Sequence, residues 1–115
     1  MLIQPGEKLH IITRRSFEAD ARRHFAGKVI ASSDALVRVE GHAYVVDLLG
    51  RGEFTKRPDL RTRIFSLVDA NLVINVISEG VNLDAVAYVV TADNHLVVSD
   101  GSGWQLDINE FSSRR

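Results

Sequence analysis

The sequence predicts a mainly β protein, a single small antiparallel barrel or sandwich of about seven or eight strands. Two observations favour this class. Apolar residues recur with a period of two rather than 3.6, as in Trp104, Leu106 and Ile108, which alternate with polar neighbours. Turn signals rich in Gly, Asp, Asn and Ser follow one another at close spacing. Short strands joined by tight turns are therefore expected along most of the chain.

The clearest strands lie in the last third of the chain. Segments 95–100 and 104–110 flank an Asp-Gly-Ser-Gly turn, which is a strong hairpin signal. A further strand at 86–91 precedes the turn at 92–94, so a three-stranded meander is predicted. Just before it, Asn82 is placed to cap a single helical turn.

The earlier strands are predicted at 9–12, 28–32, 35–47, 62–68 and 72–77, with boundaries good to about 2–4 residues. Segment 72–77 is apolar at both alternating sets of positions, which is typical of a central strand. Gly41 interrupts the long segment 35–47, and a β-bulge or sharp bend is predicted there.

One segment fits a helix better than a strand. Phe17, Ala21 and Phe25 are spaced four apart, and Ser16 and Gly27 are suitable for the two ends of a helix. A short amphipathic helix is therefore predicted near residues 16–25. An edge strand is the alternative, because Phe17, Ala19 and Ala21 also alternate with acidic residues in this stretch.

The predicted core combines the alternating positions of several strands. Its members are apolar residues that a β-sheet would turn toward one side. They are Trp104, Leu106, Ile108, Val98, Leu96, Ile74, Val76, Phe65, Val37 and Val39.

Length and composition bound the remaining possibilities. The chain has 115 residues, of which 45% are hydrophobic and 25% are charged, with a net charge of −1 and no cysteine. One globular domain over residues 1–115 is expected. No signal peptide or membrane-spanning segment is predicted, and a cysteine-free chain fits a cytoplasmic protein.

No common catalytic or metal-binding motif is present. The four histidines, His10, His24, His42 and His95, lack metal-site spacing, and separate surface or edge positions are expected for them. Asp93 and Asp100 occupy turns, where Asp is favoured for backbone reasons. Nucleophile-elbow, phosphate-loop and dinucleotide motifs are missing. We therefore predict no metal, no cofactor and no catalytic residue, and lean against an enzyme.

The charge distribution supplies the functional hint. Residues 1–63 carry 12 Lys and Arg against 8 Asp and Glu, whereas residues 64–115 carry 2 against 7. The segments 14–23 and 51–63 hold most of the basic residues, and the second is predicted to be a connection longer than a usual hairpin loop. Such segments can hold a phosphate backbone. The candidate polyanion-binding residues are Arg14, Arg15, Arg22, Arg23, Arg51, Lys56, Arg57, Arg61 and Arg63.

Three functions are weighed on this basis. The first is a non-catalytic β-domain acting through protein–protein contacts, with self-association into a homo-oligomer expected because sheet edges need covering. The second is binding of nucleic acid or another polyanion through segments 14–23 and 51–63, which the sequence pI of about 6.4 disfavours. The third is a small-ligand or enzymatic pocket in the mouth of a barrel.

Overall fold

The fold was analysed in a computed structural model that describes residues 2–14, 22–46 and 54–108. The chain divides into two compact units, Met1–Glu79 and Gly80–Arg115. The single domain predicted from the sequence stays a prediction, which cooperative unfolding of the full chain would test.

The described residues form nine strands and one short 3-10 helix. The strands are β1 Lys8–Thr13, β2 Arg22–Ser32, β3 Leu36–Val46, β4 Phe54–Lys56, β5 Arg61–Ser66, β6 Leu72–Ile77, β7 Ala87–Val90, β8 Leu96–Ser99 and β9 Gln105–Asp107. Every pairing between them is antiparallel. The predicted mainly β, antiparallel fold is confirmed.

The first unit contains a six-stranded sheet. Its strands follow the order β4-β3-β2-β1-β6, and β5 pairs with β3 beside β4. The two long strands β2 and β3 form the centre of this sheet, because each is paired along both of its sides. Among the described residues β6 and β4 do not pair with each other, so the sheet is open and does not close into a barrel.

The second unit contains the predicted meander, with strand order β7-β8-β9. The turn between β8 and β9 has Gly101 and Gly103 at φ values of 84° and 104°, which few other residues adopt. The side chain of Asp100 stabilises this turn by accepting hydrogen bonds from Ser102 N–H at 2.9 Å and from Ser102 Oγ–H at 2.5 Å. The structural role predicted for Asp100 is thus confirmed.

The predicted helical turn is also present in the second unit. The 3-10 helix covers Leu83–Ala85, and the Asn82 side chain accepts a hydrogen bond from Asp84 N–H at 3.0 Å. The capping side chain satisfies a backbone donor that the short helix itself leaves open.

The helix predicted near 16–25 is wrong where it can be compared. Residues 22–25 belong to β2, and residues 16–21 lie outside the described residues. β2 pairs with β1 on one side and β3 on the other, so both His24 and Phe25 are buried although they face opposite ways. Tertiary pairing has overridden the four-residue spacing of the aromatic residues.

Two further expectations about strands are corrected. Segment 72–77 is an edge strand, since among the described residues β6 pairs only with β1. The irregularity predicted at Gly41 lies instead in β2, where the register with β3 shifts between Val29 and Ala31. Gly41 itself is in regular register opposite Gly27, where the two backbones approach too closely to admit a side chain.

The core of the first unit is centred on β1, β2 and β3 rather than on β6. Its buried members are Leu9, Ile11, Phe25, Val29, Val37, Val39 and Ala43. Of the predicted core residues, Val37, Val39 and Val98 are buried, whereas Val76 is 63% exposed. The others are half-buried, and Phe65, Ile74 and Leu106 among them belong to the edge strands β5, β6 and β9.

In the part of the chain that the structure describes, no helix is long and apolar enough to cross a membrane.

Candidate functional site

One face of the six-stranded sheet changes from apolar to basic along its length. In β2, Phe25 and Arg23 lie on this face because they are two residues apart. In β5, Phe65, Arg63 and Arg61 also lie on this face, because they too are spaced two residues apart. The two phenylalanines belong to the apolar core or pack against it, and the arginines lie beyond them on the same face, nearer to solvent. The face therefore joins an aromatic floor to a basic rim.

The arginines surround a cleft of about 340 Å³ in the first unit. Arg57 joins it from the end of β4, where its backbone N–H donates to the Ala43 carbonyl at 2.8 Å. The cleft thus receives basic side chains from three separate stretches of chain. Its lining residues are Thr13, Arg23, His24, Phe25, Ala43, Val45, Arg57, Arg61, Arg63 and Phe65.

Two phenylalanine rings support the cleft. Phe25 is buried and Phe65 half-buried, and their ring centroids are 5.4 Å apart. The guanidinium carbon of Arg63 lies 5.6 Å from the centroid of Phe25, within the range of a cation–π contact. The contact holds Arg63 against an apolar surface while the side chain remains exposed.

The positive charge of the cleft is only partly balanced. Arg61 forms an ion pair with Asp59 at 3.3 Å, and both side chains are largely exposed. Among the described residues no carboxylate lies within 4.0 Å of Arg23, Arg57 or Arg63. Like charges gathered in a concave site raise the local concentration of anions. Guanidinium groups also match phosphate oxygens in geometry, since they donate two parallel hydrogen bonds.

The structure brings four of the nine predicted polyanion-binding residues together. Arg23, Arg57, Arg61 and Arg63 line the cleft, and Arg14, Arg22 and Lys56 do not. Arg15 and Arg51 lie outside the described residues. The long connection predicted at 51–63 is wrong where it can be compared, because six of its ten described residues are strand: Phe54–Lys56 and the start of Arg61–Ser66 both pair with β3. This pairing fixes Arg61 and Arg63 on a rigid element.

Sequence reasoning missed the aromatic floor. A usable signal was present, since Arg23 and Phe25, and likewise Arg63 and Phe65, are two apart and so share a strand face. The helix predicted near residues 16–25 relates Phe25 to residues four positions away, so it does not place Phe25 on the same face as Arg23.

The opposite face of the same sheet carries a buried aromatic cluster. His10 and His24 pack edge to face with centroids 5.0 Å apart, and His24 packs against Phe54 at 4.5 Å. The expectation of separate surface or edge histidines is therefore wrong for these two. Burial lowers the pKa of His10 to about 4. Burial, with smaller effects of His10 and Arg22, lowers the pKa of His24 to about 3.

The second unit holds a recess of about 440 Å³ beside a histidine–aspartate pair. His95 Nδ1 lies 2.9 Å from Asp107 Oδ2, and both side chains are about half exposed. The pair links the start of β8 to the end of β9. Thr91 also lines this recess, and its Oγ1 accepts a hydrogen bond from the His95 backbone N–H at 3.1 Å. Because this bond joins the hydroxyl to the backbone of His95 and not to its imidazole, we interpret the His95–Asp107 pair as a structural link between the two strands.

Within residues 2–14, 22–46 and 54–108, no group of three or more His, Asp or Glu side chains is arranged to hold a metal ion. The predicted absence of metal and cofactor stays a prediction. A scan of protein-family models finds no match to this chain, and searches of curated proteins and of solved structures likewise find none.

Proposed function

We propose that this chain binds phosphate-bearing polyanions in the arginine cleft, with single-stranded nucleic acid as the ligand class. The observation that supports this proposal is the convergence of Arg23, Arg57, Arg61 and Arg63 on one cleft. Scattered surface arginines usually contact solvent separately, whereas these four share a concave surface. Among the described residues, Arg61 is the one of the four that forms an ion pair, with Asp59.

The ligand class follows from the shape and chemistry of the cleft. A volume of about 340 Å³ accommodates one or two nucleotide units rather than the broad surface of a duplex. Arginine planes can stack on unpaired bases, and the nearby rings of Phe25 and Phe65 keep one side of the cleft apolar. Phosphates would be held by the remaining guanidinium groups.

Because the net charge of the chain is −1, the attraction for a polyanion must come from the arginines of the cleft and not from the charge of the whole chain. A chain of this net charge is expected to bind weakly and to depend strongly on the arginines of the cleft. The number of phosphates contacted is therefore measurable through salt dependence, because each contact releases condensed counterions.

The test is fluorescence anisotropy with short mixed-sequence single-stranded RNA and DNA between about 50 and 200 mM salt. One or two phosphate contacts predict a slope of log K against log salt of roughly −0.7 to −1.4, at about −0.7 per contact. The triple variant Arg57→Ala, Arg61→Ala and Arg63→Ala should remove most of that slope.

Arg38→Ala is the matched control. Arg38 is an exposed arginine of β3, on the sheet face opposite to the cleft, so its removal should leave the slope unchanged. The proposal is overturned if the wild-type chain does not bind either strand, or if the triple variant and the Arg38 control bind alike.

The non-catalytic, self-associating module expected from the sequence is the second candidate, and the strand that favours it is β6. The cytoplasm is the compartment that we propose with either function, on the basis of the cysteine-free sequence. Imaging of the tagged chain in cells would test that location.

A further inference from the structure

The two edges of the six-stranded sheet differ in how they are protected. The edge formed by β4 and β5 carries Lys56, Arg61 and Arg63, and its pairing with β3 is interrupted at residues 57–60. Charged side chains and interruptions of this kind prevent further strands from adding to an edge. This edge is therefore poorly suited to pairing with another chain.

The β6 edge has none of these features. Its sequence, Leu-Val-Ile-Asn-Val-Ile, contains no charged residue and no proline over six consecutive positions. Among the described residues β6 pairs with β1 alone, and no described strand pairs with the other side of its backbone. An uncharged, regular edge is the form that accepts an additional strand most readily.

Exposure along β6 supports the same reading. Val76 is paired with Leu9 of β1, which is fully buried, yet Val76 itself is 63% exposed. The remaining residues of β6 before Ile77 are half-buried although they are almost all apolar. Covering this strand would remove apolar surface from water and satisfy backbone groups at the same time.

We propose that β6 pairs antiparallel with β6 of a second copy of this chain. Two identical strands in antiparallel pairing are related by a two-fold axis, so each presents the same donors, acceptors and side chains to the other. No like charges are brought together, because neither copy contributes a charged residue. The interface closes on itself, since the other edge of the sheet is charged and interrupted.

Such a dimer leaves both arginine clefts accessible. The cleft is lined from β1, β2, β3 and β5 and by Arg57, and β6 contributes no residue to it, although Thr13 of β1 pairs with Leu72 of β6. The sheets of the two copies become one continuous sheet with a cleft in each half. A single nucleic-acid strand that spans both clefts would gain avidity from the second contact.

One competing edge exists in the second unit. β7 is also uncharged, and Val90 within it is 66% exposed. β7 has four residues against six in β6, so it offers fewer backbone hydrogen bonds to a partner. We assign the dimer contact to β6, and substitution of Val90 tests whether β7 forms that contact instead.

The test is the solution mass of the full chain by sedimentation or light scattering from about 1 µM to 1 mM, a range suited to a small interface. The mass of one copy is 12.8 kDa, and a rise toward twice that value with concentration is expected. Val76→Lys should keep the chain monomeric, because a lysine at this exposed position places a charge on the edge strand and blocks strand addition.

Two matched variants carry the same charge elsewhere. Val68→Lys alters an exposed turn residue and Val90→Lys alters the β7 edge, and both should dimerise as the wild type does. Amide hydrogen exchange of residues 72–77 in the unmodified chain should slow as its concentration rises. That measurement does not depend on the folding of any variant.

A wild-type chain that stays monomeric throughout the range overturns the proposal. It is equally overturned if Val76→Lys still dimerises, if Val90→Lys alone abolishes the dimer, or if exchange at 72–77 does not change with concentration.

Discussion

Gly27 of β2 lies directly opposite Gly41 of β3, and neither position has space for a side chain. A Cβ atom on Gly41 would overlap the carbonyl oxygen of Ala26, and one on Gly27 would overlap the carbonyl oxygen of Glu40. These obstacles are backbone atoms, which cannot rotate away. The two longest strands can therefore approach at this level only because both residues are glycine.

Gly41→Ala is expected to lower the free energy of unfolding by at least about 2 kcal/mol, since relieving the overlap requires β2 and β3 to separate. Urea denaturation followed by circular dichroism measures the change. Gly80→Ala is the control, because no atom lies within 4 Å of a Cβ built there. A loss for Gly41→Ala no larger than that of the control would contradict the proposed close approach.

The buried histidines predict a loss of stability in mild acid. His10 and His24 have an ordinary pKa of 6.5, lowered in the folded chain to about 4 and about 3. Below pH 6.5 the unfolded chain binds protons that the folded chain does not, so stability is complete above 6.5 and falls toward those lower values. Each histidine contributes a slope of about 1.4 kcal/mol per pH unit within this window.

The slope of unfolding free energy against pH, from roughly pH 7 to pH 5, tests this expectation. His24→Phe should reduce the mean slope over this range by about 1 kcal/mol per pH unit, whatever it does to stability at neutral pH. His95→Gln replaces a half-exposed histidine and serves as the control. Equal slopes in the wild type and in His24→Phe would show that His24 is not buried in its neutral form.

Ile11 and Ile74 are partners across β1 and β6, but they differ in burial. Ile11 is fully buried, so Ile11→Ala should cost about 2–5 kcal/mol. Ile74 is half-buried in an edge strand, and Ile74→Ala should cost about 1–2 kcal/mol. Chemical denaturation of both variants checks the order, and an equal or larger loss at Ile74 would place the core nearer to β6 than the structure does.

The pair His95–Asp107 is expected to contribute little to stability. Both side chains are about half exposed, and exposed pairs contribute about 0–1 kcal/mol. A double-mutant cycle with His95→Ala and Asp107→Ala measures the coupling directly. A coupling energy above about 2 kcal/mol would show that this pair is shielded from solvent or acts within a larger network.

The sequence alone was sufficient where a local signal decides the structure. The Asp-Gly-Ser-Gly turn requires residues that tolerate positive φ, and it formed the predicted hairpin between β8 and β9. Asn82 capped a short helix as its side-chain chemistry predicts. The alternation of apolar residues was likewise enough to identify an antiparallel β fold. Each of these features depends on residues a few positions apart.

Tertiary pairing decided the position of each strand within the sheet. An apolar run such as Leu72–Ile77 has the same pattern at the centre of a sheet and at an unprotected edge, because periodicity does not record how many neighbours a strand has. For the same reason Phe25 was assigned to a helix, although β1 and β3 flank it on both sides.

The arginine cleft likewise depends partly on neighbouring residues in the sequence and partly on the pairing of distant strands. The basic residues and their two segments were evident in the sequence, and so was the spacing of Arg63 from Phe65. That Arg23 meets Arg57, Arg61 and Arg63 depends on the pairing of β2 and β5 with β3, which joins residues about forty positions apart. The sequence by itself determined which charges are present, and the sheet register decided which of them share a cleft.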